Sequence, residues 1–180
     1  DDDFDFDFGY TGKIQFAISL RDPAFVDAGD AGNGIESDND NPPTTSAPYT
    51  RPVLSNFTLV GSNGAANQAA NHNFANRWRR NSRFVIRNSI LMGYPKAGFS
   101  LEQDGTAQGY KDGLGIFKDN LVHSVVEPYK SNSTVFTAAQ MKAKAESEGS
   151  ITYANAADIQ LEAPFNLTTP NFAPKTGSPA

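Results

Sequence analysis

Apolar residues recur along this chain in short clusters set apart by long polar stretches. The densest cluster, FVIRNSILMG at 84–93, holds six large apolar residues in ten. That is too many for a strand wetted on one face, and too few for a membrane-crossing helix, which needs roughly 20. A near copy, PVLSNFTLVG, occupies 52–61, and a looser one, IFKDNLVHS, occupies 116–124. Aligned, Asn56 recurs as Asn88 after 32 residues, and Asn88 meets Asp119 after 31. Leu54, Ile86 and Phe117 then fall on one phase. Each copy alternates apolar, polar, small polar and apolar.

Short strands in coarse repeats of this length predict a coiled parallel sheet. One coil cannot bury its own apolar face, whereas stacked coils bury a shared one. The pattern places Leu54, Ile86 and Phe117 in line along one dry interior, and inward Asn or Asp residues near a corner bonding their counterparts in the next coil. TGKIQFAISL (11–20) reads as an earlier strand, with Ile14, Phe16, Ile18 and Leu20 on one face, and GFSLEQ (98–103) as another. The spans 26–48 and 61–73 are almost all turn residues and read as loops projecting from the core. TAAQMKAKAESEG (137–149) reads as the one helix, capped by Thr137 and ended by Gly149, and placed to close one end of the stack. The tail after it is Pro-rich and reads as extended.

Composition supports many corners and few helices: apolar residues are 38%, charged residues 19%, with 15 Gly and 11 Pro. The absence of cysteine removes disulfides and thiolate chemistry. The net charge of −5 argues against a nucleic-acid partner, because phosphate binding needs a basic surface. The chain opens on DDDFDFDFGY without Met and closes on KTGSPA, so it reads as one domain, 1–180, forming the C-terminal part of something longer.

Two charged groups are candidates for chemistry. Eleven of the 20 carboxylates lie in residues 1–40. Strand alternation puts Asp3, Asp5 and Asp7 on one face and Phe4, Phe6 and Phe8 on the other. Glu36, Asp38 and Asp40 follow. Such oxygen ligands suit Ca²⁺, so these six residues are candidate metal ligands. The alternative is a solvated acidic face, or carboxylates paired with arginines. The second group is Arg77, Arg79, Arg80, Arg83 and Arg87, with Trp78 among them. It reads either as one side of salt bridges between coils, or as a glycan groove with Trp78, Arg79, Arg80 and Tyr94 as ligand-binding residues. His72 reads as an exposed bystander and His123 as outward-facing; neither has a second histidine near it in sequence, which disfavours zinc. No G-x-S-x-G elbow or phosphate-binding loop is present.

GFSLEQ followed by LGIFKDNLVHS resembles the rungs of right-handed parallel β-helices of the pectate-lyase type. PNFAPKTGSPA resembles the closing motif of bacterial β-helix proteins. DDDFDFDFGYTGKIQF, SLRDP, NGIESDND, PVLSNFTLVG and RRNSRFVIRNSILMGYPKAG, in this order and spacing, resemble a family of large Bacteroidota surface proteins, often labelled transporters. The resemblance implies an all-β, right-handed parallel β-helix (a solenoid) with long projecting loops, located in secreted form or at the cell surface in association with the outer membrane. It implies no reaction. The resulting expectation is a non-catalytic binding or structural module whose 26–48 and 61–83 loops serve adhesion, glycan contact or envelope assembly. Its partners would be polysaccharide or surface proteins, with self-assembly through open coil ends also allowed. The alternative is a Ca²⁺-dependent polysaccharide lyase or glycoside hydrolase, with Asp38 and Asp40 holding the metal and Arg80 as base or transition-state stabiliser.

Overall fold

The computed structural model describes residues 1–180. The chain winds through five coils, visiting three sheets in turn. The first coil carries β1 (Phe4–Phe6), β2 (Lys13–Gln15) and β3 (Ile18–Leu20). The second carries β4 (Ile35–Ser37), β5 (Val53–Ser55) and β6 (Thr58–Val60). The third has β7 (Phe74–Trp78), β8 (Val85–Arg87) and β9 (Ile90–Tyr94). In the fourth, β10 (Ala97–Leu101) leads through helix α1 (Asp104–Lys111) to β11 (Ile116–Lys118) and β12 (Leu121–Ser124). The fifth opens with β13 (Glu127–Ser131), substitutes helix α2 (Ala138–Ser147) for its second strand, and closes with β14 (Ile151–Thr152).

Equivalent strands pair in parallel. The first sheet is β1-β4-β7-β10-β13, the second β2-β5-β8-β11, and the third β3-β6-β9-β12-β14. This is a parallel β-helix, as the repeats predict. Leu54 pairs in register with Ile86, and Ile86 with Phe117. All three are fully buried, in one 21-residue core cluster. Toward the C-terminal end the interior becomes aromatic: Phe99 stacks on Phe117 with ring centres 4.1 Å apart, and Phe84 stacks on Trp78 at 4.6 Å.

The corner between the second and third sheets explains the recurring Asn and Asp. Each coil turns there on one left-handed residue: Phe16 (φ 60°), Asn56 (57°), Asn88 (51°), Asp119 (55°) and Gly149 (88°). Asn, Asp and Gly tolerate this conformation; Phe does not do so readily. These residues do not point inward, as the sequence reading has them. The inward ladder lies one residue later. Ser89 Oγ accepts from Phe57 N at 3.1 Å, Asn120 Oδ1 accepts from Ser89 N at 3.0 Å, and Ser150 Oγ accepts from Asn120 N at 3.2 Å. The αL turn rotates the chain, so the Asn at the corner faces out and its successor faces in.

Further differences concern strands hidden in polar sequence. The span 26–48 contains β4, whose three residues are all buried. The span 61–83 contains β7, which includes the buried Phe74 and Trp78. Neither span is a pure projecting loop. Helix α1, with two glycines, carries little helical propensity. It is held by Tyr110, fully buried among Phe84, Phe99 and Phe136.

Helix α2 forms as expected. Thr137 Oγ1 accepts from Gln140 N at 3.3 Å, and Gln140 Oε1 accepts from Thr137 N at 2.9 Å, a reciprocal capping box. Met141 and Ala145 reach the main core, so the helix covers the last coil. Beyond it, a 3-10 turn (Ala156–Ile159) and an antiparallel hairpin of β15 (Leu161–Ala163) and β16 (Asn171–Pro174) fold back onto the outside of the third sheet. There they build a second cluster with Val60, Met92 and Leu121. The tail read as extended is therefore partly paired.

Truncating the central member of the interior column, Ile86→Ala, should lower the unfolding free energy by about 2–5 kcal/mol, because a tightly packed column cannot collapse around the void. Urea denaturation measures this, and a change below about 1 kcal/mol would contradict a shared close-packed interior.

Candidate functional site

The outer face of the first sheet gathers most of the chain's charged candidates. Register there places Asp5 beside Glu36, Glu36 beside Arg77, Arg77 beside Ser100 and Ser100 beside Lys130. Alternation turns the neighbours inward: Ile35, Asn76 and Phe99 on one side, Ser37, Trp78 and Leu101 on the other.

Arg77 binds Glu102 bidentately, Nε to Oε1 at 2.7 Å and Nη2 to Oε2 at 3.0 Å, and reaches Glu36 Oε2 through Nη1 at 2.9 Å. Arg79 joins Glu36 Oε1 and also Asp38 Oδ1, the latter at 2.7 Å. Arg80 pairs with the other oxygen of Asp38. One network thus ties the second, third and fourth coils together. The glutamate and aspartate sit in β4 and just after it, and the arginines come from the next coil, some forty residues on. Charge-assisted, bidentate bonding in this half-buried setting is what lets so polar a strand as β4 be buried.

The candidate metal ligands are therefore engaged in different ways. Asp3 binds Ser19 Oγ and Arg21, whose Nη1 lies 2.7 Å from Oδ1. Glu36 and Asp38 are held by arginines. Asp40 accepts from Thr44 Oγ1 at 2.8 Å and from the N–H of Asn41. Asp5 is exposed, and one oxygen of Asp7 is buried without a hydrogen-bond partner. No group of three or more acidic or histidine side chains has an arrangement that could hold a metal ion. The Asp/Phe alternation holds for Phe4 and Phe6, but Phe8 lies past the strand, 73% exposed.

Two residues expected at a glycan groove are placed elsewhere. Trp78 and Tyr94 are fully buried, so neither ring is open to a ligand. Trp78 Nε1 donates to Asn76 Oδ1 at 2.7 Å, and Asn76 Nδ2 donates to Gly98 O at 2.7 Å, a polar thread inside the core. Arg79 and Arg80 are partly exposed but occupied by Glu36 and Asp38. Both histidines depart from the sequence reading as well. His72 is 1% exposed and accepts from Arg21 Nε at 3.2 Å through Nδ1. Burial, and then the charge of Arg21, lower its pKa. His123 is 5% exposed and accepts from Gly93 N at 3.2 Å, and burial lowers its pKa.

Burial raises the carboxyl pKa of Asp2 to about 6 against the pull of Asn33, and that of Glu36 to about 7 against the pull of Arg79 and Arg77. It raises Asp3, Asp5 and Asp7 as well, with repulsion from Asp7 and Asp38 adding at Asp5 and repulsion from Asp38 adding at Asp7. None of the four surface recesses is lined by Glu36, Asp38, Arg77, Arg79 or Arg80.

The chain matches the family model of the pectate-lyase like beta helix domain over residues 1–163, and it belongs to that family. No curated protein and no solved structure matches it.

Removing the cation shared by two coils, Arg77→Ala, strips Glu36 and Glu102 of a partner and should cost about 2–4 kcal/mol by urea denaturation. Loss below about 0.5 kcal/mol would mean the pairs are only surface decoration. A second expectation concerns pH. Folded Asp2 titrates near 6 and its unfolded form near 3.8, so the folded state holds more protons between those values. Its contribution is present below about pH 4 and is lost as pH rises through 6. Asp2→Asn should therefore flatten the fall in stability from pH 4 to 7 by about 1 kcal/mol, after discounting for its solvent exposure. An unchanged slope in pH-dependent denaturation would contradict this.

Proposed function

We propose that this chain is a non-catalytic binding or structural module, presented outside the cell, that contacts polysaccharide or envelope proteins through its rigid lateral surfaces. The observation that carries this reading is how the first sheet's outer face uses its charges. The carboxylates and arginines that could share acid–base work there are bonded to one another between coils. A glycosidase or lyase needs such groups free, converging on a cleft. Here they lie outside every surface recess. Each arginine also ties its own coil to a neighbouring one, and Arg77 ties to both neighbours, which suits a rigid scaffold.

The test is turnover. The protein, incubated in calcium-containing buffer with polygalacturonate, alginate and neutral glycans, should release no unsaturated product and no new reducing ends above a buffer blank. Turnover that disappears in Arg80→Ala would overturn the reading in favour of a lyase or hydrolase.

A further inference from the structure

The outward residues at the left-handed corner form a column that the core does not need. Asn88 and Asp119 are exposed and Asn56 is half-buried. The hydrogen bonds of Asn56 and Asn88 within the protein run through their backbone N–H groups, to Arg87 O at 3.1 Å and Lys118 O at 3.3 Å. Their amide side chains are left facing solvent, one per coil. Two residues further on, a second column runs along the outer face of the third sheet. Ile18, Thr58, Ile90, Leu121 and Ile151 stand in register there. The folded-back tail covers the neighbouring Val60 and Met92 but leaves Ile18 55% and Ile151 47% exposed. Ser178 Oγ, bonded to Ile159 O at 2.7 Å, holds the end of the chain beside these columns. The result is a groove of about 310 Å³, floored by Ile90 and Leu121 and walled by Asn56, Asn88 and Asp119 on one side and Pro179 on the other.

At the N-terminal end of the polar column stands Phe16. It occupies the same left-handed corner as the Asn and Asp residues, at φ 60°, and is 77% exposed. A bulky side chain in that conformation is strained, and here it gains little burial in return. An aromatic held outward at a cost, in line with amides and an apolar strip, points to a ligand.

We propose that this axial groove binds an extended, neutral polysaccharide, with Phe16 as a stacking platform, Ile18, Ile90 and Leu121 beneath the sugar rings, and Asn56, Asn88 and Asp119 bonding hydroxyls along one edge. The proposal rests on the reading of the chain as a binding module and names its site and ligand. A pyranose ring has an apolar face and a hydroxyl-bearing rim, and the groove has an apolar floor and a polar wall. Both columns repeat at the spacing of neighbouring strands, about 4.8 Å, close to the advance of one sugar in an extended chain. Charge separates this ligand from others. A polyanion needs a row of cations. The lip offers Arg87 and a Lys118 already 3.9 Å from Asp119, on a chain of net charge −5. An extended peptide binds through a free strand edge, but β6, β9 and β12 at the groove are paired on both sides.

The experiment is isothermal titration calorimetry on the 180-residue chain with cellohexaose, xylohexaose and mannohexaose, and with hexagalacturonate as the anionic comparison. At least one neutral hexasaccharide should bind, and better than hexagalacturonate. Phe16→Asn places at this corner the residue found in the second and third coils, so it should keep or raise thermal stability while weakening binding at least tenfold. Asn88→Ala should weaken it about threefold or more. Heat signals absent for all three neutral sugars, preference for hexagalacturonate, or full affinity retained in both variants would each overturn the proposal. These results leave the non-catalytic reading standing, whereas turnover would remove that reading irrespective of the groove.

Discussion

A single coil of this chain cannot stay dry, and that constraint shapes everything else. Strands of two to five residues have too few hydrogen bonds and too little apolar surface to persist alone. Pairing in parallel register with the coils above and below satisfies their backbones, and Leu54, Ile86 and Phe117 become mutually buried only through that pairing. Stability is thus a sum over neighbouring coils, and whatever strengthens one inter-coil step holds its neighbours in register.

The charged ladder on the first sheet is one such reinforcement. Parallel stacking puts like positions side by side, so a column of carboxylates would repel itself. Asp5 still stands beside Glu36 at the first step, but beyond it the chain places arginines in the third coil beside acidic residues in the second and a glutamate in the fourth. Charges that look like catalytic equipment in a linear reading become a lateral clamp once the coils are stacked. Inside the stack of coils, the Ser89–Asn120–Ser150 ladder does similar work without net charge, giving buried N–H groups partners near the corner.

Stacking also sorts the lateral surfaces. The first sheet's outer face is polar and self-bonded. The third sheet's outer face is apolar, and the tail covers part of it. Between the second and third sheets, the corner residues are freed from the interior by their backbone conformation. Surfaces available to partners are therefore the ones the coil geometry leaves over, and they run parallel to the axis because each repeats once per coil.

The spacing of apolar clusters and of Asn56, Asn88 and Asp119 by itself determined the coiled architecture, because a shared interior imposes the same phase on every coil. The helix at 137–149 was equally legible, since its capping box and helix-forming residues are local. Only the tertiary structure decided which polar segments were strands. Glu36 can be buried in β4 because Arg77 and Arg79 arrive from a strand some forty residues later, and no local pattern records that. The same holds for Trp78, whose place in an arginine-rich run suggests an exposed platform until the register of β7 with β10 turns it inward. The positions of Asn56 and Asn88 were visible from the start. Their outward orientation was not, because it depends on the left-handed backbone conformation that each corner adopts in the stacked coils.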